Sequence, residues 1–406
     1  MNILVVTPYY PFDNDPQPEK TTKAIHYFAK EWVGNGNNVK VMHNYINPFF
    51  HSRIVENLFS YNKKGKINKR IITGIDGVTS YLLPMIRYIP RKNYLLKRDV
   101  NKQVKKITIL LKENNFIPDI IVCHFPVSQW EIYDHLVNEF NCPSIITLHS
   151  SDISYLERTK NVKLINKVLN KGCTIAFRST SLRDKFSSMA NKELKDNYII
   201  YSGTPERLFP IKSIDSYKKQ PLNILYVGML NKQKNIHTII EALYEFKNRY
   251  YKDFIFHIVG IGNYESTLKD LVKELKMEEW IVFYGYCSRQ EVMNHMVNSD
   301  IFVMISSPET FGLVYIEAMA SNCIVIGSKG EGIDGVIING QNGFLVKPGD
   351  SRMLLETFVE IFKLNKHDKQ SILKASKSTS LIYTEESVAE RYMEIIKNVT
   401  SQGSRG

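Results

Sequence analysis

Residues 306–321 read SSPETFGLVYIEAMAS, and Glu309 and Glu317 are the charged groups in it. From Phe311 to Ala320 every side chain is apolar, glycine or Tyr315 except Glu317, and a lone carboxylate on a helix apolar all round is costly to bury. The stretch follows IFVMIS, a strand, and the turn Ser307-Pro308-Glu309, so a helix is expected from Phe311 with Thr310 as its cap. Gly312 would let a ligand approach the backbone closely. The amides of Phe311, Gly312 and Leu313, with the positive end of the helix dipole, make a site for an anion such as phosphate. Glu309 lies just before that mouth and Glu317 about two turns along it, roughly 10 Å away. A carboxylate has two acceptor oxygens, matched to vicinal diols. The pattern therefore suits a nucleotide sugar, with its diphosphate at the helix mouth and one carboxylate on each flanking polyol. Each acid also has a plainer reading: Glu309 as a favourable charge at a helix start, Glu317 as half of a buried ion pair.

Short β-branched runs alternate with amphipathic stretches throughout, the pattern of parallel sheets covered by helices on both faces. Strands are expected at Asn2 to Thr7, Val39 to His43, Asp119 to His124, Ser144 to His149, Thr174 to Arg178 and Tyr198 to Tyr201. Ile25, Phe28, Ala29 and Trp32 keep the helical period, with Thr21 or Thr22 as cap. At Asn223 the pattern restarts: NILYVG echoes the opening NILVVT. Further strands are expected at Phe254 to Val259, Ile281 to Tyr284, Ile301 to Ile305, Ile324 to Gly327 and Phe344 to Lys347. The fold class is α/β, two doubly wound domains facing a cleft where ligands meet the carboxyl ends of the strands. The expected boundaries are 1–205, 206–380, and a C-terminal helix at 381–400 returning to the first domain. His124, His149, Gly228 and the Glu309 loop all fall at or just after strand ends.

A length of 406 residues fits two domains, and 43% hydrophobic with 23% charged residues is ordinary for a soluble globular chain. No run of 18 apolar residues occurs, and the N-terminus lacks the basic and apolar regions of a signal peptide, so export is not expected. The five cysteines are scattered with no C-x-x-C pair, which fits a reducing cytoplasm and argues against a zinc site. The charge of +12 is concentrated: between His51 and Leu110, 14 Lys+Arg face 3 Asp+Glu. Within it, Tyr81 to Arg98 interleaves apolar residues with Arg87, Arg91, Lys92, Lys97 and Arg98, as a segment at an anionic membrane surface does. A solvated basic face is the alternative. Nucleic acid is disfavoured, because no recognition motif accompanies the charge.

Glu309-x7-Glu317 within PETFGLVYIEAMASNCIVIGSKG closely resembles the Glu-x7-Glu signature of retaining glycosyltransferases of the GT-B architecture, the bacterial "glycosyltransferases group 1". The likeness continues in NILYVGMLNKQKN, HIVGIGNYESTLKDL, VFYGYCSRQEV, LHSSD and YSGTPERLF, in family order. The resemblance implies that Glu309 holds hydroxyls of the donor sugar, Glu317 the ribose diol, Lys234 the departing diphosphate and His149 the sugar near the reacting carbon. Gly228, Thr310 and the amides from Phe311 to Leu313 complete the donor site. It further implies metal-independent transfer from a UDP-sugar or GDP-sugar, with no cofactor, to a saccharide or polyprenyl-diphosphate-linked acceptor for surface polysaccharide. Retention would follow from same-face attack, with the leaving phosphate helping to take the acceptor's proton. With the basic segment, the place of action is the inner face of the cell membrane, peripherally bound.

The sequence departs from the family at two places. Met229 stands where an arginine usually follows the glycine, with Lys232 as a substitute cation, and the loop Asp13 to Lys23 holds no glycine. Asp13-Asn14-Asp15 matches a D-x-D metal motif, but belongs to another glycosyltransferase architecture. The absence of glycine between Asn2 and Gly34 speaks against a nicotinamide dehydrogenase, and no P-loop motif is present. A catalytically silent nucleotide-sugar-binding subunit, a nucleotide-sugar epimerase and a sugar phosphorylase are the alternatives.

Overall fold

Continuous apolar runs need cover on both faces, and in the computed structural model they become the inner strands of two parallel sheets. The described residues are 1–12, 23–48, 72–87, 95–194, 197–209 and 221–403. They divide into two units: Met1–Arg178 with Leu182–Tyr201 and Val388–Gly406, and Ser179–Ser181 with Ser202–Ser387. The chain therefore crosses at Tyr201 and returns to the first unit at Val388.

The first unit contains β1 (Asn2–Thr7), β2 (Asn38–Pro48), β3 (Ile72–Ile75), β4 (Val78–Arg87), β5 (Ile120–His124), β6 (Ser144–Leu148), β7 (Thr174–Phe177) and β8 (Asn197–Ile199). Their order is β3-β4-β2-β1-β5-β6-β7-β8. All neighbours pair parallel except β3 with β4, an antiparallel hairpin. β1, β5 and β6 are buried along nearly their whole length. Helices α1 (Ala24–Gly34), α2 (Lys97–Glu113), α3 (Trp130–Phe140), α4 (Ser150–Thr159), α5 (Val162–Asn170) and α6 (Thr180–Ala190) join them. In α1 the expected stripe of Ile25, Phe28, Ala29 and Trp32 is buried, but Lys23 occupies the cap position without a side-chain cap bond. Thr21 and Thr22, and the glycine-free loop with its D-x-D match, lie outside the described residues except for Lys23.

The hairpin corrects the sequence reading. Asp76 and Gly77 both have positive φ, 50° and 77°, the conformation that the tightest hairpin turns require. β4 pairs along β2, so Tyr81, Leu82, Leu83 and Met85 are core residues. The apolar half of the proposed membrane segment thus faces protein. Arg87 is the last residue of β4, Lys97 and Arg98 open α2 exposed, and Arg91 and Lys92 lie outside the described residues.

The second unit has β9 (Leu222–Val227), β10 (Phe254–Val259), β11 (Ile281–Gly285), β12 (Ile301–Val303), β13 (Ile324–Ser328) and β14 (Phe344–Val346), all parallel, in the order β11-β10-β9-β12-β13-β14. Its helices are α7 (Ile236–Arg249), α8 (Glu265–Glu274), α9 (Arg289–Val297), α10 (Leu313–Ala320), α11 (Ser351–Lys363) and α12 (Lys366–Ile382). The strand order reverses between β9 and β12, and ligands of such sheets bind outside the strand ends at that point. A last helix, α13 (Glu385–Gly403), carries the chain into the first unit. There Tyr392 is buried against the rings of Phe28, Trp32 and His124, its hydroxyl 3.1 Å from the Thr147 hydroxyl. The Trp32 indole donates to the Ala389 carbonyl at 3.2 Å. Among the described residues no helix is long and apolar enough to cross a membrane.

Candidate functional site

Chemistry in the second unit gathers where β9 and β12 end. After β9 the chain runs through Gly228, Met229 and Leu230 directly against the segment after β10. A Cβ on Gly260 would lie 1.9 Å from the Gly228 carbonyl oxygen, and one on Gly262 would lie 2.1 Å from that of Leu230. Gly260-Ile261-Gly262 therefore serves backbone-to-backbone contact, which only glycine permits. Met229 is largely exposed, and its carbonyl accepts from the Tyr226 hydroxyl at 3.0 Å.

Next comes a 3-10 turn, Lys232–Lys234, ended by Asn235 in the left-handed region. It is bound to the end of β12 from two directions: Asn235 Nδ2 donates to the Ile305 carbonyl and the Ser307 amide donates to the Gln233 carbonyl, both at 2.9 Å. This places Lys234 Nζ 2.9 Å from Glu309 Oε2. The Ser306 hydroxyl also donates to Oε2, at 3.1 Å, and the Thr310 amide donates to Oε1 at 3.0 Å. Both side chains of the ion pair stay partly open to solvent, 21% and 14%.

The Glu309 loop has a support that the sequence reading missed. Glu331 accepts the Glu309 amide at 2.9 Å and the Ser307 hydroxyl at 2.7 Å. The Gly332 amide donates to the Glu309 carbonyl at 3.0 Å, and a Cβ at Gly332 would lie 1.8 Å from the Thr310 carbonyl oxygen. A sequence signal existed in GSKGEGID, an acid between two glycines just after a buried strand.

The helix mouth differs in detail from expectation. α10 starts at Leu313, with Gly312 rather than Thr310 at the cap, at φ 77°. Phe311 is buried against Tyr383 ahead of the helix. The space beside Gly312 is taken by the Tyr315 ring, 2.6 Å from where a Cβ would stand. Its lack of a side chain thus serves the helix's own packing, and the first helical amides begin at Leu313. Glu317, 2% exposed, forms an ion pair from Oε1 with Arg289 Nη2 and accepts there from the Thr204 hydroxyl at 3.1 Å. The plainer reading of Glu317 therefore holds for one oxygen. The other, Oε2, is buried with no hydrogen-bond partner among the described residues.

In the first unit His149 follows β6, and His124 ends β5. His124 Nδ1 and His149 Nε2 are 3.1 Å apart, and Phe125 lies flat on the His149 ring at 3.6 Å. Both imidazoles are held well below their usual range by burial first and then by the Arg178 charge. Asp152 accepts the His149 amide at 2.9 Å and the Val127 amide at 3.1 Å, tying the ends of β6 and β5 together. Burial pushes its carboxyl up to about 7. Lys97 and Arg98 lie 10 and 11 residues beyond the end of β4, and Arg98 Nε lies 3.7 Å from Asp99.

Residues 210–378 match the family of glycosyl transferases group 1. That stretch includes Gly228, Lys234, Arg289, Glu309, Glu317 and Glu331. N-acetyl-alpha-D-glucosaminyl L-malate synthase of Bacillus anthracis is 24% identical over 269 residues, 64% of this chain and 69% of that one. Alpha-monoglucosyldiacylglycerol synthase of Acholeplasma laidlawii is 26% identical over 283 residues, 63% of this chain and 69% of that one. The structure of Anabaena HepE in complex with UDP superposes with a TM-score of 0.69 at 17% identity, covering 98% of this chain and 100% of that one. The fold is the two-sheet GT-B architecture, and family and relatives together support a glycosyltransferase.

Proposed function

We propose that this chain is a retaining glycosyltransferase that moves a sugar from a nucleotide diphosphate to a lipid-linked saccharide acceptor, in the assembly of a surface polysaccharide. The observation that carries the reading is the Lys234–Glu309 pair at 2.9 Å, next to the start of α10 and at the strand ends where the sheet order reverses. Cleavage of the sugar–phosphate bond develops negative charge on the leaving diphosphate. Lys234 and the first amides of α10 are cationic or dipolar groups suited to stabilise it without a metal ion. Glu309 then accepts from sugar hydroxyls, its orientation fixed by Ser306, the Thr310 amide and, through the backbone, Glu331. Glu317 offers Oε2 to the ribose. In the first unit His149, clamped by Phe125 and His124, serves the sugar near its reacting carbon.

A UDP complex of a structural neighbour and a diacylglycerol-modifying relative support a nucleotide-sugar donor and a lipid-bearing acceptor. We place the protein at the cytoplasmic face of the membrane, bound peripherally through basic residues among Arg87, Arg91, Lys92, Lys97 and Arg98. Because Tyr81, Leu82, Leu83 and Met85 are core, this attachment is electrostatic. Thermal-shift screening against UDP- and GDP-sugars tests the donor, and the anomeric configuration of the product tests retention. Stabilisation by none of the panel refutes the reading, and conversion of donor without acceptor favours an epimerase.

A further inference from the structure

Arg289 was not singled out by the sequence, yet it makes the ion pair to a carboxylate that the fold has buried. Its Nη2 donates to Glu317 Oε1, where the Thr204 hydroxyl also donates. Oε2 of the same carboxylate, equally enclosed, has no partner among the described residues. The backbone at Arg289 is fixed. It is the first residue of α9, whose start is closed by a capping box in which Ser288 accepts the Glu291 amide and Glu291 accepts the Ser288 amide. From there the side chain reaches inward while remaining 49% exposed.

The two oxygens are thus unequal. Oε1 is filled by two donors, and Oε2 accepts from no group among the described residues. We infer that Arg289 is a positioning residue for the nucleotide: it secures Glu317 by Oε1 so that Oε2 is presented to a ribose hydroxyl. This rests on the donor-site reading given above. It adds that ribose recognition depends on a guanidinium outside the carboxylate's own helix.

The electrostatics agree with the geometry. Burial pushes the Glu317 carboxyl up, and the groups that oppose this are Arg289 and the Thr204 hydroxyl. From α12, packed along α10, the buried residues are Ile372, Leu373, Ser376 and Ser380, none of which titrates in the ordinary range. Without Arg289 the burial that pushes the carboxyl up would lose its main opposing charge, and protonation would turn one acceptor oxygen into a donor. Raising the pH would reverse this.

The test is calorimetric titration of the full chain with UDP and GDP and their 2′-deoxy counterparts, from pH 6 to pH 9. The wild type should prefer the ribose form of whichever diphosphate it binds, about tenfold, the value of one charge-assisted hydrogen bond. Arg289→Ala should lose that preference and about tenfold in affinity at pH 6, and regain much of both by pH 9. Arg289→Lys should keep most of the preference, and Glu317→Gln should lack it at every pH. An Arg289→Ala protein that unfolds at the wild-type temperature and keeps the ribose preference, or loses it independently of pH, overturns the inference. If Arg289→Ala fails to fold, an Arg289→Lys protein without any preference at any pH overturns it equally. Failure of the wild type to bind either diphosphate instead refutes the donor-site reading itself.

Discussion

Lys234 and Glu309, the cation and the anion assigned to opposite parts of a sugar diphosphate, hold each other at 2.9 Å. Each holds the other in place, and Glu309 also accepts hydrogen bonds from the Ser306 hydroxyl and the Thr310 amide. A donor would enter by exchanging this ion pair for its own hydroxyls and phosphates, so the site is assembled before the ligand arrives.

If that is so, either partner should matter to transfer more than to folding. Lys234→Ala and Glu309→Ala should each lower kcat with the best donor by about 100-fold or more, while Tm shifts by a few degrees. The double variant should lose less than the product of the single losses, because the two groups act as a unit. Full turnover in either single variant would remove the assigned role.

Glu331 touches the proposed chemistry only through the Glu309 backbone and Ser307. Glu331→Ala leaves a part-buried amide without its acceptor and should cost about 1 kcal/mol in denaturant unfolding. Turnover should fall by roughly tenfold through loss of loop geometry. Glu331→Gln, which retains an acceptor oxygen, should recover most of the stability.

The glycines at 260 and 262 predict a purely structural effect. A methyl group at Gly260 would overlap the Gly228 carbonyl oxygen at 1.9 Å, and one at Gly262 the Leu230 carbonyl at 2.1 Å. Gly262→Ala should destabilise the protein by about 1–3 kcal/mol, and Gly260→Ala, at φ 137°, by at least as much. Alanine at Gly340, where a Cβ meets nothing within 4 Å but φ is 76°, isolates the backbone cost alone.

The buried imidazoles make stability depend on pH with a definite sign. The folded-state pKa values of His124 and His149 lie well below the ordinary 6.5. Below pH 6.5 the unfolded chain therefore binds protons that the folded chain does not, and stability falls as pH falls, by up to about 1.4 kcal/mol per pH unit for each ring. Asp152 acts in the opposite sense. Its carboxyl moves from 3.8 to about 7, so its contribution is full at low pH and is lost as pH rises towards 7. Urea unfolding between pH 5 and pH 8 should show a net acid-side loss. His124→Gln should flatten the loss, and Asp152→Asn should steepen it.

Much of this was legible in the chain because period and punctuation are local. The restart at Asn223, the buried strands and the stripe of α1 all follow from apolar spacing, and the Glu309 and Glu317 pairing of strand, turn and helix did too. What the sequence left unread depends on contacts between distant segments. Apolar residues interleaved with Arg and Lys make Tyr81 to Arg98 read as a basic interfacial segment; the pairing of β4 with β2, nearly 40 positions earlier, is what makes Tyr81, Leu82, Leu83 and Met85 core. Asp76-Gly77 was the local clue to that hairpin. Glu331 and Arg289 reach the site from 22 and 28 residues away, beyond the range of any periodicity. Gly312 was read as room for a ligand, whereas Tyr315, three residues on, fills the space.

The return of α13 to the first unit has a consequence for how the polypeptide is made. Tyr392 packs against the rings of Phe28, Trp32 and His124, so the aromatic core of the first unit is completed only by residues made after the whole of Ser202–Ser387. At about 5–20 residues per second that stretch takes roughly 10–40 s to make, during which the second unit can complete itself while the first still lacks its last helix.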